Sequence, residues 1–173
     1  MQNITLRYGL YYAAILCLGF VASYFIFGTD TESYSKSEVL GYAIMLFASV
    51  VILFAVRAAK QNSNNQFSFG KGLGIGLGVS AIGGLAFAVY NWVYANWLHP
   101  EFFSEYMAYQ KQLVLESGLS ESEIQQQLTE LASYSDIMGN SFMMAAIMFV
   151  TVFAIGLLFS LVAAAGFRSK SGQ

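Results

Sequence analysis

The stretch that decides the fold is residues 66–100, QFSFGKGLGIGLGVSAIGGLAFAVYNWVYANWLHP. No charged residue follows Lys71 until Glu101. An apolar run of this length crosses the hydrocarbon core of a bilayer, roughly 30 Å thick, as a helix that rises about 1.5 Å per residue. The stretch therefore predicts a transmembrane helix over residues 72–98 that opens in glycines and closes in aromatic side chains.

Small residues occupy two roughly opposite faces of this predicted helix. The first face holds Gly72, Gly76, Ser80 and Gly83, and the second holds Gly70, Gly74, Gly78 and Ala81. Small side chains let two helix backbones approach, and close packing stabilises helix pairs in lipid, where burial of Leu contributes little. We therefore expect neighbours on both sides of the helix. Neighbours from the same chain are favoured, and a second copy of the chain, in a homo-oligomer, is the alternative.

Aromatic residues cluster at the far end of the same stretch, at Tyr90, Trp92, Tyr94 and Trp97. Amphipathic rings prefer the headgroup level of a bilayer, so the cluster predicts an interfacial belt. Asn91 suits hydrogen bonding in that belt or contact with a ligand. We expect His99 to be an interfacial residue as well, since a lone His without partners indicates neither catalysis nor a metal site.

Three further apolar runs complete the predicted topology, at residues 8–27, 39–56 and 142–167. Hydrophobic residues make up 57% of the chain and charged residues 10%, against about 25% charged residues in soluble domains. The last run carries Gly156 and Ser160, a second pair of small packing positions. The sequence predicts an all-α polytopic membrane protein in which residues 1–173 form a single domain with four transmembrane helices.

Residues 100–135 are the only sizeable segment predicted to lie outside the membrane. Pro100 suits the first turn of an amphipathic helix, and Gly118 suits the residue just after its end. Ser120 and Glu123 then have the spacing of a capping box, which marks the start of a second helix. The segment is predicted to form an amphipathic helical hairpin between the third and fourth spans.

The charges are distributed unevenly between the connecting segments. Six basic residues and no acidic residue occupy the two termini and the second connector: Arg7, Arg57, Lys60, Lys71, Arg168 and Lys170. The first and third connectors hold Lys36, Lys111 and all ten acidic residues. Because basic residues concentrate on the cytoplasmic side of a membrane, we expect both termini in the cytoplasm and an extracytoplasmic hairpin.

Several kinds of chemistry find no support in the sequence. One Cys and one His form neither a disulfide framework nor a Cys/His metal cluster. Residues 76–81 match G-x-G-x-x-A, but a dinucleotide site needs an acidic residue about 20 positions later, and none occurs between Glu38 and Glu101. The net charge of −2 does not indicate a nucleic acid partner. The four spans lack Asp, Glu, Lys, Arg and His, so we predict no metal, no cofactor and no catalytic residue.

The order of these motifs resembles a known family. The motifs are a Phe-Gly-Lys start, a Tyr/Asn aromatic cluster, a Pro-Glu-Phe, a Gly-Leu-Ser-Glu turn and a final small-residue helix, at residues 69–71, 90–97, 100–102, 118–124 and 142–170. They are similar to the bacterial four-helix membrane proteins classed as a domain of unknown function, the DUF 4199 type. The resemblance implies a bacterial inner membrane protein, and it transfers no catalytic residue.

The sequence predicts a structural or partner-binding membrane protein, with the lipid bilayer around it and the segment 100–135 as the surface for a membrane or extracytoplasmic partner. Three other interpretations stay open. One is a component of a transporter or channel for a small solute or lipid. Another is a membrane enzyme, which the lack of ionisable residues in the spans disfavours, so we expect no enzyme. The third is a segment 100–135 that only caps the bundle. Glu116, Glu121 and Glu130 give this segment an acidic outer face, which favours a basic partner.

Overall fold

The computed structural model of the protein describes residues 2–27, 34–63 and 67–169. The helices in this part of the chain are α1 (Gln2–Phe27), α2 (Tyr34–Gln61), α3 (Phe69–Val93), α4 (Phe102–Leu115), α5 (Glu121–Met138) and α6 (Ser141–Phe167). A five-residue π-helical segment, Tyr94–Leu98, continues α3. Asp30, Glu32 and Lys170, which the charge argument uses, lie outside the described residues.

Four of these helices are long and apolar enough to cross a membrane, over Asn3–Ile26, Lys36–Gln61, Phe69–Leu98 and Ser141–Phe167. The all-α prediction and the four membrane-length helices are confirmed, and α4 and α5 bring the described helices to six. α2 extends past Val56 to include Arg57 and Lys60. Long basic side chains can reach water from a helix end, so the helix need not stop where the apolar run stops.

The four long helices pack as a bundle around α3. α3 contacts α6 most extensively, and it also packs against α1 and α2. α2 completes the bundle by contacting both α1 and α6. α4 and α5 pair with each other at one end, which we call the hairpin end, and α5 also reaches α6.

The α3–α6 contact is built from two reciprocal glycine–serine pairs. A Cβ added at Gly76 would lie 2.5 Å from Ser160 Oγ, and a Cβ added at Gly156 would overlap Ser80. Each serine hydroxyl donates to the glycine carbonyl one turn earlier in its own helix, at 2.8 Å for Ser80 and 2.6 Å for Ser160. Both hydroxyls are therefore satisfied inside the bundle, while each glycine leaves room for the serine of the opposite helix.

Further close contacts between α3 and α6 lie on both sides of these two pairs, and we call the whole line of contacts the contact row. A Cβ added at Gly72 would meet Ala164 Cα at 3.1 Å, and one at Gly84 would meet the Phe149 ring at 3.1 Å. The row thus advances in steps of four residues. Each step turns about 40° around the helix axis, since 3.6 residues make one turn. This drift explains why Gly84, rather than the expected Gly83, faces α6.

α1 also packs against α3, at Gly78 of the second predicted face and at Gly83 of the first. A Cβ added at Gly78 would lie 2.6 Å from Thr5 Cγ2, and one at Gly83 would overlap the Tyr12 ring. Gly70 and Gly74 were expected on a packing face, but a Cβ at either would meet nothing within 4 Å. They lie near the start of α3, on a side that its described neighbours do not cover.

The centre of the bundle is filled by a buried tyrosine and the residues around it. Tyr12 is fully buried, and its hydroxyl lies 3.0 Å from Ser49 Oγ. Because Ser49 Oγ donates to the Met45 carbonyl oxygen at 2.8 Å, Tyr12 is the donor in the first bond. Ile52, Val79 and Val152 are also fully buried, so side chains close the middle of the bundle.

The hairpin follows the predicted turn chemistry. Gly118 has a φ of +71°, a left-handed conformation that glycine adopts without steric cost, and it separates α4 from α5. The capping box at the start of α5 is confirmed: Ser120 Oγ accepts from the Glu123 N–H, and the Glu123 carboxylate accepts from the Ser120 N–H. α5 continues to Met138, beyond the predicted limit at residue 135.

The opposite end of the bundle joins the second connector to the end of α6. The Ser169 N–H donates to the Phe67 carbonyl oxygen at 2.8 Å, and the Phe67 N–H donates to Ser169 Oγ at 3.1 Å. The Phe67 ring is buried. These contacts bring Arg168 to the end of the bundle that also holds the second connector, where most of the basic residues lie.

Candidate functional site

A cavity of about 360 Å³ lies at the hairpin end, among all six helices. Half of its 22 lining residues are Phe or Tyr, contributed by every helix except α6: Phe20, Tyr24, Tyr34, Tyr42, Phe87, Tyr90, Tyr94, Phe102, Phe103, Tyr106 and Tyr134. α6 closes one side with Met144, Ile147, Met148 and Thr151. An apolar cavity of this size with a few polar groups is typical of a small-molecule site.

The floor of the cavity is a packed aromatic layer over the centre of the bundle. The Phe20 and Phe87 ring centroids lie 4.6 Å apart, and the Tyr90 ring stacks on Phe87 at 5.9 Å. Asn91 joins this floor with only 9% of its surface exposed, and its Nδ2 donates to the Phe87 carbonyl oxygen at 2.8 Å. The cavity therefore ends at this layer, above the filled middle of the bundle.

A π-helical segment lies within the aromatic cluster at the end of α3. The His99 N–H donates to the Tyr94 carbonyl oxygen at 2.8 Å, a five-residue step that widens the last turn. Tyr90 and Tyr94 stack at 6.1 Å and line the cavity. Trp92 and Trp97 instead point outward, 39% and 71% exposed, with their rings 5.5 Å apart. The predicted aromatic cluster thus divides into an inward tyrosine pair and an outward tryptophan pair.

Four polar side chains form a hydrogen-bonded network at the edge of the cavity, which we call the rim network: Tyr34, Glu105, His99 and Tyr94. Tyr34 OH donates to Glu105 Oε2 at 2.8 Å, and His99 Nε2 lies 3.4 Å from the same oxygen. Tyr94 OH lies 3.4 Å from His99 Nδ1. The network ties α2, α3 and α4 together. It also corrects the expectation that His99 lacks a partner.

The environment of the rim network keeps Tyr34 neutral. Tyr34 is buried, and burial together with the Glu105 carboxylate raises the pKa of Tyr34 to about 12. The Tyr34 hydroxyl is therefore neutral at physiological pH and donates a hydrogen bond to Glu105. The Tyr34 ring also contacts Phe102, Tyr106 and Tyr109 of α4 edge-on or tilted, at 6.0, 5.9 and 5.5 Å. Tyr34 therefore fixes α4 against the bundle.

The exposed residues of the cavity lining include Glu38 and Tyr42 of α2 and Tyr134 of α5, and we call this part of the lining the mouth of the cavity. Burial, followed by the charge of Glu38, raises the pKa of Tyr106, and burial, Tyr42 and Glu38 raise the pKa of Tyr134. The negative charge of Glu38 therefore acts on Tyr106 and Tyr134 at the mouth of the cavity.

None of the small residues predicted to pack on α3 and α6 lines the cavity, because the α3–α6 contact lies deeper in the bundle. Of the predicted belt, only Tyr90 and Tyr94 do. Glu38, Glu105 and His99 could not be recognised as site residues from the sequence, since residues from α2 and α4 meet only in the folded chain. One signal was present: Phe102 and Tyr106, like Tyr90 and Tyr94, are four residues apart, a spacing that places two rings on one helix face.

Metal binding finds no support in the described residues, where no three His, Cys, Asp or Glu side chains come together in a group that could hold an ion. Near the cavity, the His99 imidazole lies 3.4 Å from the Glu105 carboxylate.

Together, the four membrane-length helices and the cavity define a polytopic helical membrane protein with an aromatic pocket at one end of its bundle. The chain belongs to the family described as Protein of unknown function (DUF4199), whose family model matches residues 7–169. No curated protein and no solved structure matches the chain. The family match confirms the resemblance drawn from the order of the sequence motifs.

Proposed function

We propose that this protein is a membrane-embedded binding protein that holds one small ligand in the cavity at the hairpin end, without converting it. The observation that supports this most is the cavity itself, of about 360 Å³ and with an aromatic lining. The rim network and the capped hairpin over its edge keep the cavity formed. A pocket of this kind suits retention of an amphiphilic molecule at the level of the bilayer surface.

The proposal includes a location and an orientation. The protein lies in the bacterial inner membrane with both termini in the cytoplasm, and the hairpin end faces outward. The unequal distribution of basic residues supports this orientation. The cavity then opens on the extracytoplasmic side, where it receives its ligand from the periplasmic face or from the outer leaflet of that membrane.

The earlier expectations of a partner at residues 100–135, of a homo-oligomer and of a transporter or channel component stay predictions. A continuous passage has no specific support, because Tyr12, Ile52 and Val79 fill the bundle below the cavity and are fully buried. Partner binding at the hairpin is compatible with ligand binding beneath it, since the acidic outer face and the cavity use different side chains.

Cavity filling tests the proposal. A Cβ added at Gly41, which lines the cavity, would meet only the Phe20 ring, at 3.4 Å, so the side chain in Gly41→Leu extends beside a lining ring and takes up ligand space. Gly74→Leu is the matched control, because Gly74 faces open space outside the cavity. The ligands are 4-phenylbutylamine, 4-phenylbutanol and 4-phenylbutyrate, which share one apolar body and differ in head group.

Binding is measured on protein in lipid nanodiscs by ligand-induced thermal stabilisation, which rises with ligand concentration for a ligand that binds the folded state. At least one of the three compounds should stabilise the wild-type protein saturably. Gly41→Leu should remove that stabilisation and Gly74→Leu should keep it. Equal stabilisation of the wild type and Gly41→Leu, or none of the wild type, would rule out the cavity as a binding site.

A further inference from the structure

The charge that the described cavity lining carries is negative. Glu38 is a carboxylate at the mouth, and the described lining residues include no Lys or Arg. Within the described chain Glu38 forms no ion pair. The His99 imidazole already faces Glu105 at 3.4 Å, on the far side of the rim network. An incoming ligand therefore meets an uncompensated negative charge at the mouth, which favours a cation.

The walls of the cavity add to the same preference. An aromatic ring presents a negative face, and a cation within about 6 Å of the ring centroid is attracted to it. Tyr42 and Tyr134 stand exposed at the mouth beside Glu38, and Tyr106 lies just inside. A cation at this position would have a carboxylate and several tyrosine rings around it. The tyrosine hydroxyls both donate and accept, so they do not discriminate against a cation.

The floor offers an acceptor as well. Because Asn91 Nδ2 donates to the Phe87 carbonyl oxygen, Oδ1 points away from that bond, and it has no hydrogen-bond partner in the described part of the chain. Every fully buried side-chain N or O atom described has a partner, so Oδ1 is accessible, and Asn91 is open to the cavity. A ligand group that carries N–H would find acceptors at both levels, whereas a carboxylate or phosphate would meet the like charge of Glu38 at the mouth.

From these three observations we propose that the ligand of the cavity is an organic ammonium ion with an apolar body. The ammonium group lies at the mouth between Glu38 and the tyrosine rings, and the apolar body lies on Phe20, Phe87 and Met45. This assignment rests on the proposed function, since it names the ligand class of the same cavity. A free alkyl or arylalkyl amine and the amino headgroup of phosphatidylethanolamine share this chemistry.

The three phenylbutyl compounds test the assignment directly. In nanodiscs, 4-phenylbutylamine should bind the wild-type protein more tightly than 4-phenylbutanol, and 4-phenylbutyrate should bind least. Glu38→Gln should weaken amine binding by about two- to fivefold, the range of a partly exposed ion pair, and leave alcohol binding unchanged. Glu130→Gln, on the exposed face of α5, is the matched control and should change neither. Tyr42→Leu should weaken amine binding by a similar factor through loss of its ring.

The outcomes separate the two proposals. If the alcohol or the acid binds as tightly as the amine and Gly41→Leu abolishes this binding, the cavity binds ligands and the ammonium assignment is wrong. If Glu38→Gln leaves amine affinity unchanged, the assignment is also wrong. If none of the three compounds binds, both proposals fail.

Native mass spectrometry from nanodiscs that contain equal amounts of phosphatidylethanolamine and phosphatidylglycerol distinguishes the two sources of the ammonium group. Selective retention of one phosphatidylethanolamine, reduced in Gly41→Leu and Glu38→Gln, identifies the lipid headgroup as the source. Amine binding with no retained lipid identifies a free amine. Retention of phosphatidylglycerol at the same site, to the same extent, contradicts selectivity for a cation.

Discussion

Glycine positions in this bundle differ in what surrounds them, and the difference decides what a side chain at each would do. At Gly76 an added Cβ would meet Ser160 Oγ at 2.5 Å and the Ser160 backbone Cα at 3.1 Å. At Gly74, two residues earlier on the same helix, it would meet nothing within 4 Å. Both positions have the same helical backbone, so a substitution at the two sites compares packing alone.

We predict that Gly76→Leu destabilises the fold by about 1–3 kcal/mol, the usual cost of overpacking, because the backbone of α6 must move away from α3. Gly74→Leu should not destabilise it. Reversible unfolding in mixed detergent micelles measures the free energy of unfolding of both variants. Equal stability of the two variants would show that the α3–α6 contact tolerates separation at Gly76.

The sequence alone could not show that a neighbouring helix covers Gly76 but leaves Gly74 uncovered. The sequence places Gly70, Gly72, Gly74, Gly76 and Gly78 at alternate positions, and each is equally small. Which of them is covered depends on the path of α6 and α1 across α3. That path is set by the whole contact row from Gly72 to Gly84, in which four-residue steps drift around the helix, and a list of small residues does not contain it.

Elements of the hairpin are held by local chemistry that can be tested one contact at a time. At the start of α5, hydrogen bonds from the Ser120 hydroxyl and the Ser120 N–H lower the pKa of Glu123 below its ordinary value of 4.5. The folded helix therefore stabilises the carboxylate form of Glu123 over the protonated form. Its contribution is fully present above pH 4.5 and is lost as the pH falls through the lowered pKa.

We therefore expect the first turn of α5 to lose hydrogen-exchange protection progressively below pH 4.5, after correction for intrinsic exchange rates. Ser120→Ala should lower protection at every pH and remove most of this pH dependence, since both bonds through the hydroxyl are gone. A wild-type profile that stays flat below pH 4.5 would show that Glu123 does not stabilise the cap.

The rim network makes a separate prediction for α4. Tyr34→Phe removes the hydrogen bond to Glu105. Hydrogen bonds to charged groups contribute about 1.5–3 kcal/mol to stability, and this bond contributes less because the Glu105 carboxylate is partly exposed. We expect faster hydrogen exchange in α4 and little change in α1, α3 and α6. Tyr109→Phe, which removes a hydroxyl from a ring that contacts Tyr34, is the control. Unchanged exchange in α4 would mean that ring contacts alone hold this helix.

At the scale of the whole molecule, the charge distribution predicts which end faces the cytoplasm. Arg7, Arg57 and Lys60 lie toward the end of the bundle opposite the hairpin, and Glu101, Glu116 and Glu121 lie at the hairpin end. Reporter fusions after Asn64 and after Ser117 measure the sidedness. The Asn64 fusion should be active with a reporter that works in the cytoplasm, and the Ser117 fusion with one that works outside. The reverse pattern would overturn the orientation.

The acidic outer face of the hairpin makes the second prediction at this scale. Glu116, Glu121 and Glu130 are exposed. If this face recognises a basic partner, their combined replacement by Gln should leave insertion and thermal unfolding unchanged and reduce co-purification of that partner, most clearly at low salt. An unchanged set of partners at low and high salt would leave the hairpin as a cover for the cavity only.

The sequence was sufficient for the parts of the fold that depend on local signals. Runs of apolar residues predict the four long helices, and the Ser120 and Glu123 spacing predicts the start of α5. The cavity could not be predicted in this way. Its mouth, floor and rim come from helices far apart in the chain. Hydrophobic periodicity does not show that Tyr90 and Tyr94 face a cavity while Trp92 and Trp97 point outward.

The reciprocal packing of α3 on α6 has a consequence for how relatives of this protein can diverge. At each crossing point two residues share one small volume: Gly76 with Ser160, and Ser80 with Gly156. A larger side chain on one helix can be accepted only if the opposite position becomes smaller. Selection therefore acts on the pair and not on either residue, so across the family these positions should change together, with glycine and serine exchanging sides.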